Sequence, residues 1–257
     1  MKLREVLKCL WIIPVYIYVH IVEILGEHTG ESVNSVSDYI INDVFGVQTL
    51  YEKKQLILAV DFLFVVVLFN LLFGSYIYRY FIRNTLAYFS RVRERERWLK
   101  IKSIELYGYC FCYVALYILL EILFLFYKYE KVPFTMEDAR VVFIMILVTT
   151  FIIGGTTLAI NGIAIKIGSK VAFVSCYIVM LILLGISMNF SDIVQNEKFQ
   201  FLNLFNPMSA MTVGNVDSKL QQLLVLVYYI ALTFGGCTVI AKGVKKMDIY
   251  GKNKEVM

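Results

Sequence analysis

Long apolar runs separated by short polar stretches dominate the chain. They are apolar on all sides, unlike the one-sided stripe of a soluble surface helix. A membrane-spanning helix needs about 20 mostly apolar residues. Six runs approach that length, at roughly 8–25, 56–78, 104–127, 140–165, 171–188 and 220–241. The first is short for a span. The fourth is long, and Thr135-Met-Glu-Asp138 before it has the spacing of a capping box, which predicts a helix that begins outside the membrane. The predicted fold class is therefore all-α: a polytopic membrane protein with six transmembrane helices and a single domain over 1–257. No repeat, low-complexity segment or linker suggests a second domain. The N-terminal stretch MKLREVLKCLWIIPVYIYVHIVEIL begins like a signal peptide. Its apolar run continues through Tyr18 and Val22 with no A-x-A-like site behind it, so it is expected to stay as the first span.

The connections carry opposite charge on alternate sides. Arg79, Arg83, Arg91, Arg93, Arg95, Arg97, Lys100 and Lys102 lie between spans two and three. Lys166 and Lys170 lie between spans four and five, Lys2, Arg4 and Lys8 at the N-terminus, and Lys242, Lys245, Lys246, Lys252 and Lys254 at the C-terminus. With six spans, all of these share one side. Glu27, Glu31, Asp38, Asp43, Glu137, Asp138, Asp192, Glu197 and Asp217 fall on the other. The positive-inside rule then places both termini in the cytoplasm.

Two of the outer connections carry further pattern. In SVSDYIINDVF, Val36, Tyr39, Ile40 and Val44 recur at helical spacing, which predicts a short helix on the membrane surface. FQFLNLFNPMSAM is too apolar for a free loop and too short to span, so it predicts a re-entrant or interfacial hairpin broken at Asn206-Pro207.

Composition agrees with a membrane protein. The 257 residues are 59% hydrophobic and only 18% charged, where a soluble domain is about a quarter charged. The net charge of +5 is clustered rather than spread over a surface, which fits membrane orientation and not nucleic-acid binding. Cys9, Cys110, Cys112, Cys176 and Cys237 all lie in or beside apolar runs, so they are expected to be packing residues rather than a disulfide framework.

The segment SRVRERERWLKIK, at 90–102, holds more positive charge than orientation alone requires. It admits several readings. It fixes topology, binds anionic lipid heads, or forms a docking surface. In the third reading, Glu94 and Glu96 alternate with the arginines, and Glu96 to Lys100 has the favourable i, i+4 spacing. A solvated helix then runs on into span three with Trp98 at the interface. Phe81, Leu86 and Phe89 just before it supply exposed apolar contacts for a soluble partner.

The layout resembles the permease subunit of ABC-2-type transporters, over nearly the whole chain. The likeness rests on the six spans, the RERERWLKIK helix after span two, the short KIGSK turn between spans four and five, and LFNPMSAM before span six. Only MKLREVLK precedes the first span, where that family carries a longer amphipathic helix. The resemblance implies that Leu86, Phe89, Arg91, Arg93, Arg95, Arg97, Lys166 and Lys170 form a coupling surface for a separate ATPase chain, which would hold the ATP and Mg²⁺. It also implies that a second permease chain pairs with this one. Small bacterial members of this kind commonly serve peptide-antibiotic export or self-protection in low-GC Gram-positive bacteria, in the plasma membrane. A competing expectation is a non-transporting assembly or sensor subunit that recruits a cytoplasmic partner through the same basic helix.

Catalytic motifs are lacking. GIAIKIGSK does not have the P-loop spacing, and no H-E-x-x-H or G-x-S-x-G is present. No cofactor, metal or catalytic residue is therefore expected on this chain. His20 and His28 alone do not make a catalytic zinc site. Polar residues inside the spans are more informative. Glu23, Asp61 and Glu121 lie at similar depth near the outer side. Either each reaches the head groups alone, or together they line an acidic exit path for a cationic or amphipathic substrate. His20, Asn70 and Asn161 are further polar residues within spans. TTFIIGGTTLAINGIA in span four gathers small residues, for close helix packing or for a flexible element. Pro14 predicts a kink in span one.

Overall fold

The computed structural model describes residues 3–20, 33–45, 56–84, 95–129, 132–189, 202–210 and 218–245. In chain order its helices are α1 (Leu3–Cys9), α2 (Ile12–Val19), α3 (Val36–Tyr39, running on as a wider π turn over Ile40–Val44), α4 (Leu56–Phe73) and α5 (Tyr76–Asn84). They continue with α6 (Arg95–Lys128), α7 (Met136–Ile167), α8 (Ser169–Met188), α9 (Pro207–Ala210) and α10 (Lys219–Lys245). No strand occurs among the described residues. Five stretches are long and apolar enough to cross a membrane: Leu63–Ile82, Glu96–Lys128, Met136–Ile167, Ser169–Ser187 and Lys219–Val244.

α6 and α7 form the centre of the bundle. At 34 residues, α6 is about 51 Å long, well beyond the ~30 Å hydrocarbon layer. The sequence places span three at 104–127, but the helix is unbroken from Arg95, so its first turns project past the apolar layer. Tyr109, Tyr113 and Tyr117 recur on one face of α6 and are buried. Tyr109 stacks on Phe73 of α4, and the Tyr113 hydroxyl donates to the Val65 carbonyl at 2.9 Å. α7 opens with the expected capping box: Asp138 N donates to Thr135 Oγ1 at 3.2 Å, and Thr135 N donates back to Asp138 Oδ2 at 2.7 Å. The small residues of α7 are contact points. A Cβ on Gly154 would lie 2.3 Å from the Tyr107 ring, and one on Gly162 would lie 2.7 Å from Ile240. Close packing therefore accounts for these two glycines.

Three expectations are revised. The first span does not run as one helix. α1 ends at Cys9 and α2 starts at Ile12, with Leu10 N, Trp11 N and Ile13 N bonded only three residues back. Pro14 has no N–H to give to Leu10, so the ladder fails one turn ahead of it. The helix at Val36 forms, but it is not a free surface helix. Val36 and Ile40 are buried, and the Ser37 hydroxyl and amide both donate to Asp138 of α7. Phe81 is not an exposed contact either, since it is buried against the bundle.

The apolar segment before span six folds back as a hairpin. Its two short turns, 202–205 and α9, meet at Asn206. Asn206 Nδ2 donates to the Leu183 carbonyl at 2.7 Å, and the Tyr229 hydroxyl donates to Phe205 O at 3.0 Å. Met208 and Ala210 are fully buried. Pro207 opens α9 at its first position, where a missing N–H costs nothing.

Candidate functional site

One end of the bundle carries Arg97, Lys166, Lys170 and Lys242, all exposed there. At this basic end the apolar stretch Leu63–Ile82 breaks. α4 stops at Phe73, Gly74-Ser75 form a turn, and α5 resumes at Tyr76. In an unbroken helix Ile77 N would donate to Phe73 O. Here the side chain of Asn161, from α7, occupies that gap. Its Nδ2 donates to Phe73 O at 3.1 Å, and its Oδ1 accepts from Ile77 N at 2.8 Å and from Tyr78 N at 3.1 Å. Its second N–H goes to Thr157 O of its own helix at 2.8 Å. One fully buried amide thus uses both donors and both acceptor positions to close a broken backbone. In an apolar layer, those backbone groups have no water to turn to.

Neighbouring residues fix this break in place. The Thr157 hydroxyl donates to Asn70 Oδ1 at 2.7 Å. Gly74 lies so close to α8 that a Cβ there would meet the Phe173 ring at 2.4 Å. Phe173 follows the KIGSK turn, where Gly168 has φ 94°, a backbone region open to glycine and strained for other residues. The turn between spans four and five and the break in span two therefore share one packed region.

α5 is also tied to α6. The Tyr76 hydroxyl donates to Glu105 Oε2 at 2.8 Å. Lys102 pairs with the same oxygen at 2.6 Å and sits 5.2 Å from the Tyr80 ring centre. The predicted Glu96–Lys100 pair forms at 3.0 Å. α5 and α6 are the two arms that flank the basic segment, and both are anchored to the bundle.

Of the sequence-predicted coupling residues, Arg97, Lys166 and Lys170 are exposed at this end. Arg95 starts α6, though its side chain is outside the description, and Leu86, Phe89, Arg91 and Arg93 lie outside the described residues. Of the three carboxylates, Glu23 lies outside them too, and for Asp61 only the helical backbone is described. Glu121 is 2% exposed. Tyr16 of α2 donates to its Oε2 at 3.0 Å, and His20 Nε2 stands 3.8 Å from Oε1. The His20 ring also packs between Tyr16 and Phe124. Glu121 thus faces the first span, within the bundle. Among the described residues, no cluster of three or more His, Cys, Asp or Glu side chains is placed to hold a metal ion.

Sequence reasoning marked Asn161 as a polar residue inside a span, but not its role, because its partners lie more than 80 residues away. The only local signal was Gly74-Ser75 inside an apolar run. Comparison of the chain with protein-family models, curated proteins and solved structures gives no match.

Proposed function

We propose that this chain is the permease subunit of an ATP-driven exporter in a bacterial plasma membrane. It has six spans, with both termini and the basic segment in the cytoplasm. ATP and Mg²⁺ are handled by a separate ATPase chain, and two permease chains pair. The carrying observation is the Asn161 side chain inserted in the break of span two. It links α5, one arm of the basic segment, to α7, while α6, the other arm, runs rigidly through the bundle. A push on the basic segment is then delivered to α6 directly and to α7 through one amide. Discrete rearrangement of packed elements is how such a displacement reaches distant spans. The nearby KIGSK turn offers a second point of contact at the same end.

In this reading the substrate is a peptide or amphipathic compound, and Glu23, Asp61 and Glu121 belong to its outward path. Glu121 is held by Tyr16 in the described state, so substrate meets it only when the first span parts from the third. The non-transporting recruiting subunit is the alternative outcome of the same test.

That test is purification from the native membrane in mild detergent, with ATP hydrolysis measured for the wild type and after reversing Arg91, Arg93, Arg95 and Arg97 to Glu. A co-purifying ATPase that is lost on charge reversal supports the proposal. Absence of any ATPase under all mild conditions overturns it in favour of the recruiting subunit. Replacing Glu23, Asp61 and Glu121 with Gln, Asn and Gln should lower export with assembly intact. Unchanged export removes the acidic path.

A further inference from the structure

α7 and α10 meet closely at Gly162 and Ile240. Two cavities lie along their seam. One, of about 320 Å³, is walled by residues including Tyr107, Phe151, Gly155, Pro207 and Thr233. The second, of about 350 Å³, continues towards the basic end past Ile163 and Val239 to Lys166 and Val244. Ala159, Gly236 and Ile240 line both. From Phe151 to Lys166 the groove follows α7 for about 22 Å. One leaflet of the hydrocarbon layer is ~15 Å thick, so an extended chain fits along it.

The walls state what chemistry it accepts. Every hydroxyl that reaches the groove is already turned to protein. Thr156 donates to Ile153 O at 2.8 Å, Tyr107 donates to Thr233 Oγ1 at 3.3 Å, and Tyr229 donates to Phe205 O at 3.0 Å. Thr233 accepts from Tyr107, the remaining lining side chains before Lys166 are apolar, and an apolar cavity suits hydrocarbon rather than a polar solute. The charge is at one end only. Lys166 lines the basic mouth, with its Cε 3.8 Å from where a Cβ on Gly243 would be. Its stem lies against Gly243 at the end of the apolar stretch, where a long cationic side chain can reach a head group.

We propose that the α7–α10 groove binds one acyl chain of an anionic phospholipid from the leaflet at the basic end, with its head group at Lys166. Its mouth residue Lys166 belongs to the KIGSK turn beside the Asn161 break, but lipid retention in the groove does not depend on whether the chain transports anything.

The test is native mass spectrometry of the full chain in detergent, titrated with dioleoyl phosphatidylglycerol or dioleoyl phosphatidylcholine. Wild type should retain one phosphatidylglycerol in preference to phosphatidylcholine. Lys166→Gln should remove roughly fivefold of that preference, the contribution of about one basic residue. Gly236→Leu should abolish retention, because it fills the groove at a position where an added Cβ meets no atom within 4 Å. Gly235→Leu, equally open but lining neither cavity, should retain lipid as wild type does. Equal behaviour of the two leucine variants overturns the groove. A head-group preference unchanged in Lys166→Gln overturns the assignment of the mouth. A dimer mass that displaces lipid from the wild type overturns the lipid as occupant.

Discussion

Two of the apolar segments are interrupted, and they resolve the interruption in opposite ways. The first breaks at Leu10-Trp11, one turn before Pro14, and repairs itself locally with bonds three residues back. Leu10 and Trp11 are exposed there. The second breaks at Gly74-Ser75 without a proline, and the repair comes from a different helix. A break that repairs itself can bend without informing its neighbours. A break repaired by Asn161 cannot open unless α5 and α7 move relative to each other.

The strongest way to break this contrast is Asn161→Leu. It leaves Phe73 O, Ile77 N and Tyr78 N without that partner in apolar surroundings, at about 1–3 kcal/mol for each group left unmade. A loss on the order of 3 kcal/mol is expected in reversible unfolding in detergent micelles, with faster amide exchange at Ile77 and Tyr78. Slow exchange retained at both amides would mean that the amide is not what closes the ladder.

Gly74→Ala should come next. Its Cβ falls 2.4 Å from both the Phe173 ring and the Asn70 carbonyl, and overpacking of this sort costs roughly 1–3 kcal/mol. In a double-mutant cycle, Phe173→Ala should recover the ring's part of that cost, so that the two changes are less than additive. Strict additivity would separate the glycine from α8.

Tyr16→Phe probes what fastens the first span beyond its break. It removes the donor to Glu121, and about 1 kcal/mol is expected. Release of α2 should be seen as increased labelling of a cysteine placed at Tyr18, an exposed position.

Pro14→Ala should have the smallest effect. Pro14 is the third residue of α2, where the N–H of a helix start lacks an intrahelical partner in any case. A stability change below about 1 kcal/mol is expected, together with a gain of helical signal as α1 and α2 join. A large loss would show that the bend itself positions the first span.

The same contrast shows what a sequence can disclose. Features that depend on near neighbours were legible. Thr135 and Asp138 are three residues apart and form the predicted box, and Glu96 and Lys100 form the predicted pair. The turn at Asn206-Pro207 sits where the sequence placed it. Five of the six expected spans overlap helices long and apolar enough to cross a membrane. Features that depend on distant partners were not legible. Asn161 and Ile77 are 84 residues apart, and an apolar run reads the same with or without a repaired break in it. Phe81 resembled an exposed aromatic because its polar neighbours in sequence suggested solvent, whereas tertiary packing buries it.

Asp138 carries a consequence for the order in which the chain is built. One of its oxygens caps its own helix, and the other receives Ser37 from the connection after the first span. That connection is synthesised about a hundred residues earlier. It has no Asp138 to hold until the ribosome has made the start of α7. The first two apolar segments are thus made as an unlatched pair, and α7 locks the connection between them after the fact. Truncated nascent chains ending before α7 should leave that loop open to protease, and chains extended past it should close it.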